Sequence, residues 1–328
     1  MKQSLKNCSQ RISKSVLDIC WGHWNRLGLY ATGPVNPYST DIECAILLCG
    51  AVGEKNERLM EGVFIWLYKY GELVNRERLS HLLKKADDQK IFECLNSFFE
   101  RLNHSRWKSL LTLCKKKSGN LKENLRRALP SKEMLSKKLV DERQVLKRNA
   151  LLRYRYLMGT SARADVLYLF SISEALKNKK EMDFLTTAKL SKMLGFDISS
   201  LFRIQQDFEA AGVMGGHSQE TWKLSQTLTL FESVPLEKGI VDWLSILRLL
   251  IEALSLAAKM EGRVHETILK ADIYDFQTRL FKLLYAYDFL KPRLHQIPSP
   301  PLEKYSALEL ALMLAGALEK VVLSMTGE

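Results

Sequence analysis

At 328 residues the chain is longer than one hydrophobic core usually serves, and an apolar fraction of 46% suits a packed globular protein, so two or three packed units are expected. Its formal charge of +12 is concentrated: residues 101 to 155 hold 17 Lys and Arg against 4 Asp and Glu, a local +13 that leaves the rest at −1. Such an excess points to an acidic partner, most often nucleic acid, or to a solvated helical connector kept soluble by its lysines. A membrane span is not expected, because the most apolar stretch, Ile240 to Ala258, is interrupted by Asp242, Arg248 and Glu252.

The first fifteen residues are polar, with no apolar h-region and cleavage site, so a cytoplasmic rather than an exported protein is expected. A helix is predicted over Ser13 to Leu27, ended by Gly28 and followed by the breaker-rich stretch GLYATGPVNPYST. From there an N-terminal helical domain, residues 1–116, is predicted with helices at Asp41 to Val52, Arg58 to Tyr70, Arg76 to Lys85 and Gln89 to Lys116. In the second of these, Leu59, Val63, Trp66, Leu67 and Tyr70 recur in steps of three and four and form an apolar stripe. All six cysteines, Cys8, Cys20, Cys44, Cys49, Cys94 and Cys114, lie in this region without a CxxC pair, and they read as reduced core residues. Cys44 and Cys49, five apart on a helix, diverge too far to share an ion readily, so no metal is expected.

KKKSGNLKEN, Lys115 to Asn124, loses periodicity and marks a bend. Residues 117–160 read as a basic helical connector, in which Pro130 to Arg155 regains helical propensity and LLRYRYLMG alternates apolar and basic residues, suited to weak packing and phosphate contact.

Residues 161–234 carry the most specific pattern. Ala162 to Lys177 is a helix packed through Ala164, Val166, Leu167, Phe170 and Leu176, followed by the charged turn NKKEMD. In LTTAKLSKMLGF, Thr186 or Thr187 can cap a short helix with Leu190 and Leu194 inward, and Gly195 allows a sharp turn. DISSLFRIQQDFEAAGVM starts at Asp197 or Ser199 as cap, buries Leu201, Ile204, Phe208 and Ala211, and ends at Gly212. Val213 and Met214 then read as a short strand, GGHSQE as a loop and TWKLS as a returning strand.

This order of helix, helix, turn, helix and β-ribbon resembles the winged helix-turn-helix superfamily, most closely the MarR- or ArsR-like regulator modules, over residues 162–225. The resemblance implies a mainly α chain whose central module has a small β-ribbon wing. It also implies a recognition helix in the major groove of DNA, presenting Ser199, Ser200, Phe202, Arg203 and Gln206. Arg203 would bond guanine, Gln206 adenine, and the serines phosphate or a base. Thr187 and Lys189 before it, with His217 and Lys223 in the wing, would contact phosphate. The sequence departs from the superfamily pattern at Gln205, where an aliphatic residue is common, at Asp207, where a basic residue often faces DNA, and at Phe202, which is large and apolar for an exposed site.

Residues 235–328 read as a C-terminal helical unit: Leu236 to Lys259, Val264 to Leu290 and Glu303 to Met325, the last two separated by KPRLHQIPSPPLE. Both the first (Trp243, Leu247, Leu250, Ile251, Leu254) and the last (Leu308, Leu312, Leu314, Leu318, Val321) look apolar on more than one face, so each needs partners on two sides. Those partners are each other, the N-terminal helices or a second copy of the chain.

No GxxxxGK[ST], GxGxxG, GxSxG or HExxH motif occurs, and the six histidines are scattered, so neither an enzyme nor a cofactor is expected. The leading expectation is a prokaryotic, cytoplasmic, sequence-specific double-stranded DNA-binding protein acting in transcription regulation. A DNA reader of this kind commonly pairs to engage two half-sites, so a homodimer held by the C-terminal helical unit is a further expectation. The alternative is a non-catalytic docking, scaffold or antitoxin-like partner of an operon-encoded protein in a defence, toxin or mobile-element operon. A third reading is RNA or single-strand binding by the basic stretch, with Tyr154, Tyr156 and Trp107 stacking on bases.

Overall fold

A computed structural model describes residues 2–29, 35–53, 56–86, 88–118, 131–176, 185–215, 223–224, 238–262, 265–285 and 305–326. These residues are mainly helical and fall into two compact units. One comprises residues 24–32 and 37–244; the other comprises 1–23, 33–36 and 245–328. Most of the N-terminal helices, the basic segment and the helix-turn-helix segment thus share one unit. The start of the chain belongs with the C-terminal helices.

In the larger unit α2 (Ile42–Val52) is apolar apart from Glu43 and buried from Ile42 to Ala51, which makes it a core helix. Packed on it are α3 (Glu57–Tyr70), α4 (Arg76–Lys85) and α5 (Gln89–Leu102), and α6 (Lys108–Ser118) packs on α5 and α4. Asp41, Asn56, Asn75 and Asp88 each cap the helix that follows, satisfying backbone N–H groups that have no intrahelical partner.

The single helix expected from Gln89 to Lys116 is two. Asn103 adopts the left-handed region at φ 38°, His104 accepts from the Arg106 N–H at 3.2 Å, and Ser105–Trp107 forms one 3-10 turn. The bend lets the Trp107 ring stack on Phe99, with centroids 5.1 Å apart, so aromatic burial outweighs helix continuation. Gly71 is required opposite, since a Cβ there would lie 2.6 Å from Trp107 Cζ2.

The basic segment folds into α7 (Lys132–Lys138), α8 (Glu142–Arg148) and α9 (Ala150–Met158). It is tied down at Gly28, whose carbonyl accepts from the Val140 N–H at 2.9 Å, and through the Leu29–Leu139 bridge. Nearby, Trp66 Nε1 donates to the Leu27 carbonyl at 2.8 Å and its ring meets Trp24 edge-on. Helix α9 buries Leu151, Leu152, Tyr154 and even Arg155. Trp107 and Tyr154 are therefore core residues, not stacking platforms; Tyr156 alone of the three is exposed.

Behind α9 lies α10 (Ala162–Leu176), buried from Ala164 to Phe170. Then follow α11 (Thr187–Leu194), α12 (Ile198–Ala210) and a two-residue antiparallel pair, β1 (Met214–Gly215) with β2 (Lys223–Leu224), Met214 facing Leu224. The turn NKKEMD, His217 and the loop between the strands lie outside the described residues.

The smaller unit takes α1 (Lys2–Arg26) up to His23 and α13 (Trp243–Glu261) from Ser245, with α14 (Glu266–Leu284) and α15 (Ala307–Thr326). Helix α1 starts eleven residues before the expected Ser13, because Leu5, Cys8, Ile12, Val16 and Ile19 form a buried stripe through an otherwise polar stretch. It is anchored by Ser9 Oγ to Glu261 at 2.8 Å and by Arg11 to both carboxylate oxygens of Glu319. Gln277 Nε2 donates to the Leu310 carbonyl between α14 and α15. Among the described residues no helix is long and apolar enough to cross a membrane.

Candidate nucleic-acid interface

The geometry of the α11–α12 pair is set by local chemistry. Thr186, rather than Thr187, caps α11 by accepting from the Lys189 N–H at 3.1 Å. Gly195 closes α11 in the left-handed region at φ 74°, its N–H bonded to the Ser191 carbonyl, and Ser191 Oγ reaches on to the Phe196 carbonyl. Asp197 caps α12, accepting from the Ser200 N–H at 2.7 Å and from both serine hydroxyls at 2.6 Å. Leu190, Met193, Leu194, Leu201, Ile204 and Phe208 bury the facing sides.

On the outer face of α12, Ser199, Phe202, Arg203 and Gln206 are exposed at positions i, i+3, i+4 and i+7, a single helical stripe. Ser200 is half-buried, as are Thr187 and Lys189 on α11. The backbone of Lys223 lies in β2, its side chain outside the described residues.

Two of the three departures acquire a local explanation. Asp207 pairs with Arg163 of α10, which offsets its charge. Gln205 is buried and its amide donates to Glu209 at 3.2 Å, while its Oε1 has no partner among the described residues. Phe202 remains 46% exposed beside Ile198 at 57%, one turn apart.

Asp197 is the feature the sequence reading assigned only to capping. The Ser199 and Ser200 hydroxyls and the Ser200 N–H hold its carboxyl well below the usual carboxylate range, so an anion stands at the start of α12 and engages two of the expected DNA-contact residues. His81, Lys84 and Lys85 are exposed on α4, and His81 feels the charges of both lysines and of Asp197. Partial burial, then Lys85 and Lys84, push the His81 imidazole pKa down, with Asp197 acting in the opposite sense.

Beneath this surface lies a charge network that the linear sequence does not bring together. Arg78 on α4 donates to Asp41 at 2.7 and 2.5 Å, to Glu43 at 2.7 Å and, through Nε, to the Leu194 carbonyl that ends α11. Arg155 on α9 grips Glu43 at 2.7 and 2.8 Å and Asp165 of α10 at 2.7 and 2.9 Å, and reaches the Leu73 carbonyl. Glu43 also accepts from the Asn75 N–H, so it joins both halves. All five side chains are buried, three carboxylates against two guanidiniums.

Burial pushes the Asp41 carboxyl up, but Arg78 and the Cys44 N–H more than reverse this and hold it down at about 2. For Asp165 burial prevails over Arg155, which is shared with Glu43, and its carboxyl is raised. The adjoining cavity, lined by Thr40, Asp41, Arg155, Asp165, Tyr168 and Trp243 among others, has a volume of about 20 Å³, the space of one water molecule. It is far smaller than a small-molecule site of about 300 Å³ or more; the network's hydrogen bonds link α2, α4, α9, α10 and the end of α11.

Comparison with protein-family models, curated proteins and solved structures finds no match.

Proposed function

We propose that the protein is a non-catalytic, sequence-specific binder of double-stranded DNA acting in transcription regulation, with α12 as the helix that enters the major groove. The observation that carries this is the exposed stripe of Ser199, Arg203 and Gln206 on a capped helix that follows a left-handed glycine turn. Arg203 and Gln206 have the donors and acceptors to read guanine and adenine edges. The β1–β2 pair is read as the base of a wing, and Lys84 and Lys85 supply positive charge on the side of Asp197.

The test is fluorescence anisotropy on a duplex from the region upstream of the protein's own gene and on a scrambled duplex, each across a salt series, with the double variant Arg203→Ala, Gln206→Ala alongside. Tighter binding to the native duplex that survives moderate salt and is lost in the variant supports the proposal. Equal, steeply salt-dependent binding that the variant leaves unchanged overturns it.

A second reading rests on Ile198 and Phe202. Two large apolar side chains exposed one turn apart suit a protein partner laid along α12. Under this reading Phe202→Ala releases an operon-encoded partner that copurifies with the wild-type chain, and DNA affinity stays sequence-blind.

A further inference from the structure

Away from α12, three sulfur atoms from three helices meet in the larger unit. The Cys49 thiol on α2 and the Cys94 thiol on α5 each donate to the Met60 thioether on α3, both with S···S distances of 3.7 Å. Close approach of the α2 and α5 backbones accompanies this arrangement. At Gly50, next to Cys49, a Cβ would lie 3.3 Å from Ile91 Cα, and Ile91 is one turn before Cys94 on α5. Cys49 and Cys94 are buried and Met60 is half-buried, so the cluster has dry walls and one member that reaches the surface.

We propose that Cys49, Cys94 and Met60 form a binding site for a soft monovalent metal ion, Cu(I). Two thiolates and a thioether are the donor set that selects Cu(I) over harder ions. With metal–sulfur bonds of about 2.3 Å, a trigonal ion sets its sulfurs about 4 Å apart, so the Cys49–Met60 and Cys94–Met60 edges have to open by only a few tenths of an ångström. Zinc fits poorly: it favours four ligands from Cys, His and carboxylate, and among the described residues no group of three or more His, Cys, Asp or Glu side chains is placed to hold a metal. On binding, both thiols lose their protons to solvent, two Cu–S(thiolate) bonds form with one Cu–S(thioether) bond, and no electron is transferred.

The experiment uses the full-length protein, reduced and oxygen-free, titrated with Cu(I) in competition with a chromophoric Cu(I) chelator, with copper X-ray absorption on the loaded sample. One Cu(I) per chain in an all-sulfur shell is expected. Cys49→Ser and Cys94→Ser abolish the uptake and Cys114→Ser leaves it intact. Met60→Leu, which conserves volume and so preserves the fold, weakens uptake by about 10-fold. Failure to compete with the chelator, nitrogen or oxygen ligands at the copper, or equal affinity in wild type and Met60→Leu overturns the proposal.

Discussion

Arg78 Nε donates to the carbonyl of Leu194 at 2.6 Å, so a side chain from α4 closes the end of α11 just before the turn into α12. The same guanidinium neutralises Asp41 and Glu43 in the interior. The orientation of α12 is thereby tied to a buried charge balance 116 residues away in sequence.

Replacing Arg78 with Met keeps an unbranched stem but leaves Asp41 without its guanidinium and the Leu194 carbonyl without this donor. Removing one partner from a buried ion network costs about 3–5 kcal/mol. Urea unfolding of Arg78→Met is expected to show a loss of that size; a change below about 1 kcal/mol, typical of surface substitutions, would show the network to be solvated.

The two aspartates of the network impose opposite pH dependences. Asp41, held at about 2 when folded against an unfolded value of about 3.9, contributes stability above pH 4 that is lost as the pH falls towards 2. Asp165 is raised on folding, so its contribution is full below the unfolded value and is lost as the pH rises through the folded one. Urea midpoints measured from pH 2 to 7 are expected to show a flatter acid limb in Asp41→Asn. In Asp165→Asn the decline that this residue causes above about pH 4 should disappear. Parallel curves for wild type and both variants would contradict the assignment.

Gly195 occupies φ 74°, and a Cβ there would meet Leu244 and Leu82 only at 3.4 and 3.5 Å, ordinary contact distances. The penalty for Gly195→Ala is therefore backbone strain of about 1–2 kcal/mol. Gly195→Asn should recover part of it, because asparagine tolerates the left-handed region. Thermal unfolding of the two variants checks both the size and the order.

Asp197→Asn keeps an acceptor for the Ser200 N–H but removes the anion from the start of α12. If α12 lies against DNA, affinity rises at every salt concentration, because a repulsion with phosphate is gone. Unchanged anisotropy curves would place the start of α12 away from the phosphates.

Much of the architecture was legible because helices announce themselves locally. The stripe in α3, the cap choices of Thr186 or Thr187 and of Asp197 or Ser199, and the breaks after Tyr70 and at Gly195 depend on residues a few positions apart; the structure has helices there and selects Thr186 and Asp197. The expected exposure of Phe202, Arg203 and Gln206 likewise follows from the 3.6-residue period once Leu201, Ile204 and Phe208 face inward.

Sequence alone therefore determined a mainly helical chain, the positions of most helices and the short α11–α12 turn, since spacing, capping and glycine conformations are properties of neighbouring residues. Only the tertiary structure decided which residues share a core. It broke Gln89–Lys116 at Asn103 so that Trp107 could stack on Phe99, extended α1 back to Lys2, and buried Arg155, which its basic neighbourhood marks as a solvated charge. It also joined Asp41, Glu43, Arg78, Arg155 and Asp165, and set the Cys49 and Cys94 thiols against the Met60 thioether. The physical reason is common to these cases: a buried charge or aromatic ring is stable only against a partner, and that partner is chosen by packing between helices distant in sequence.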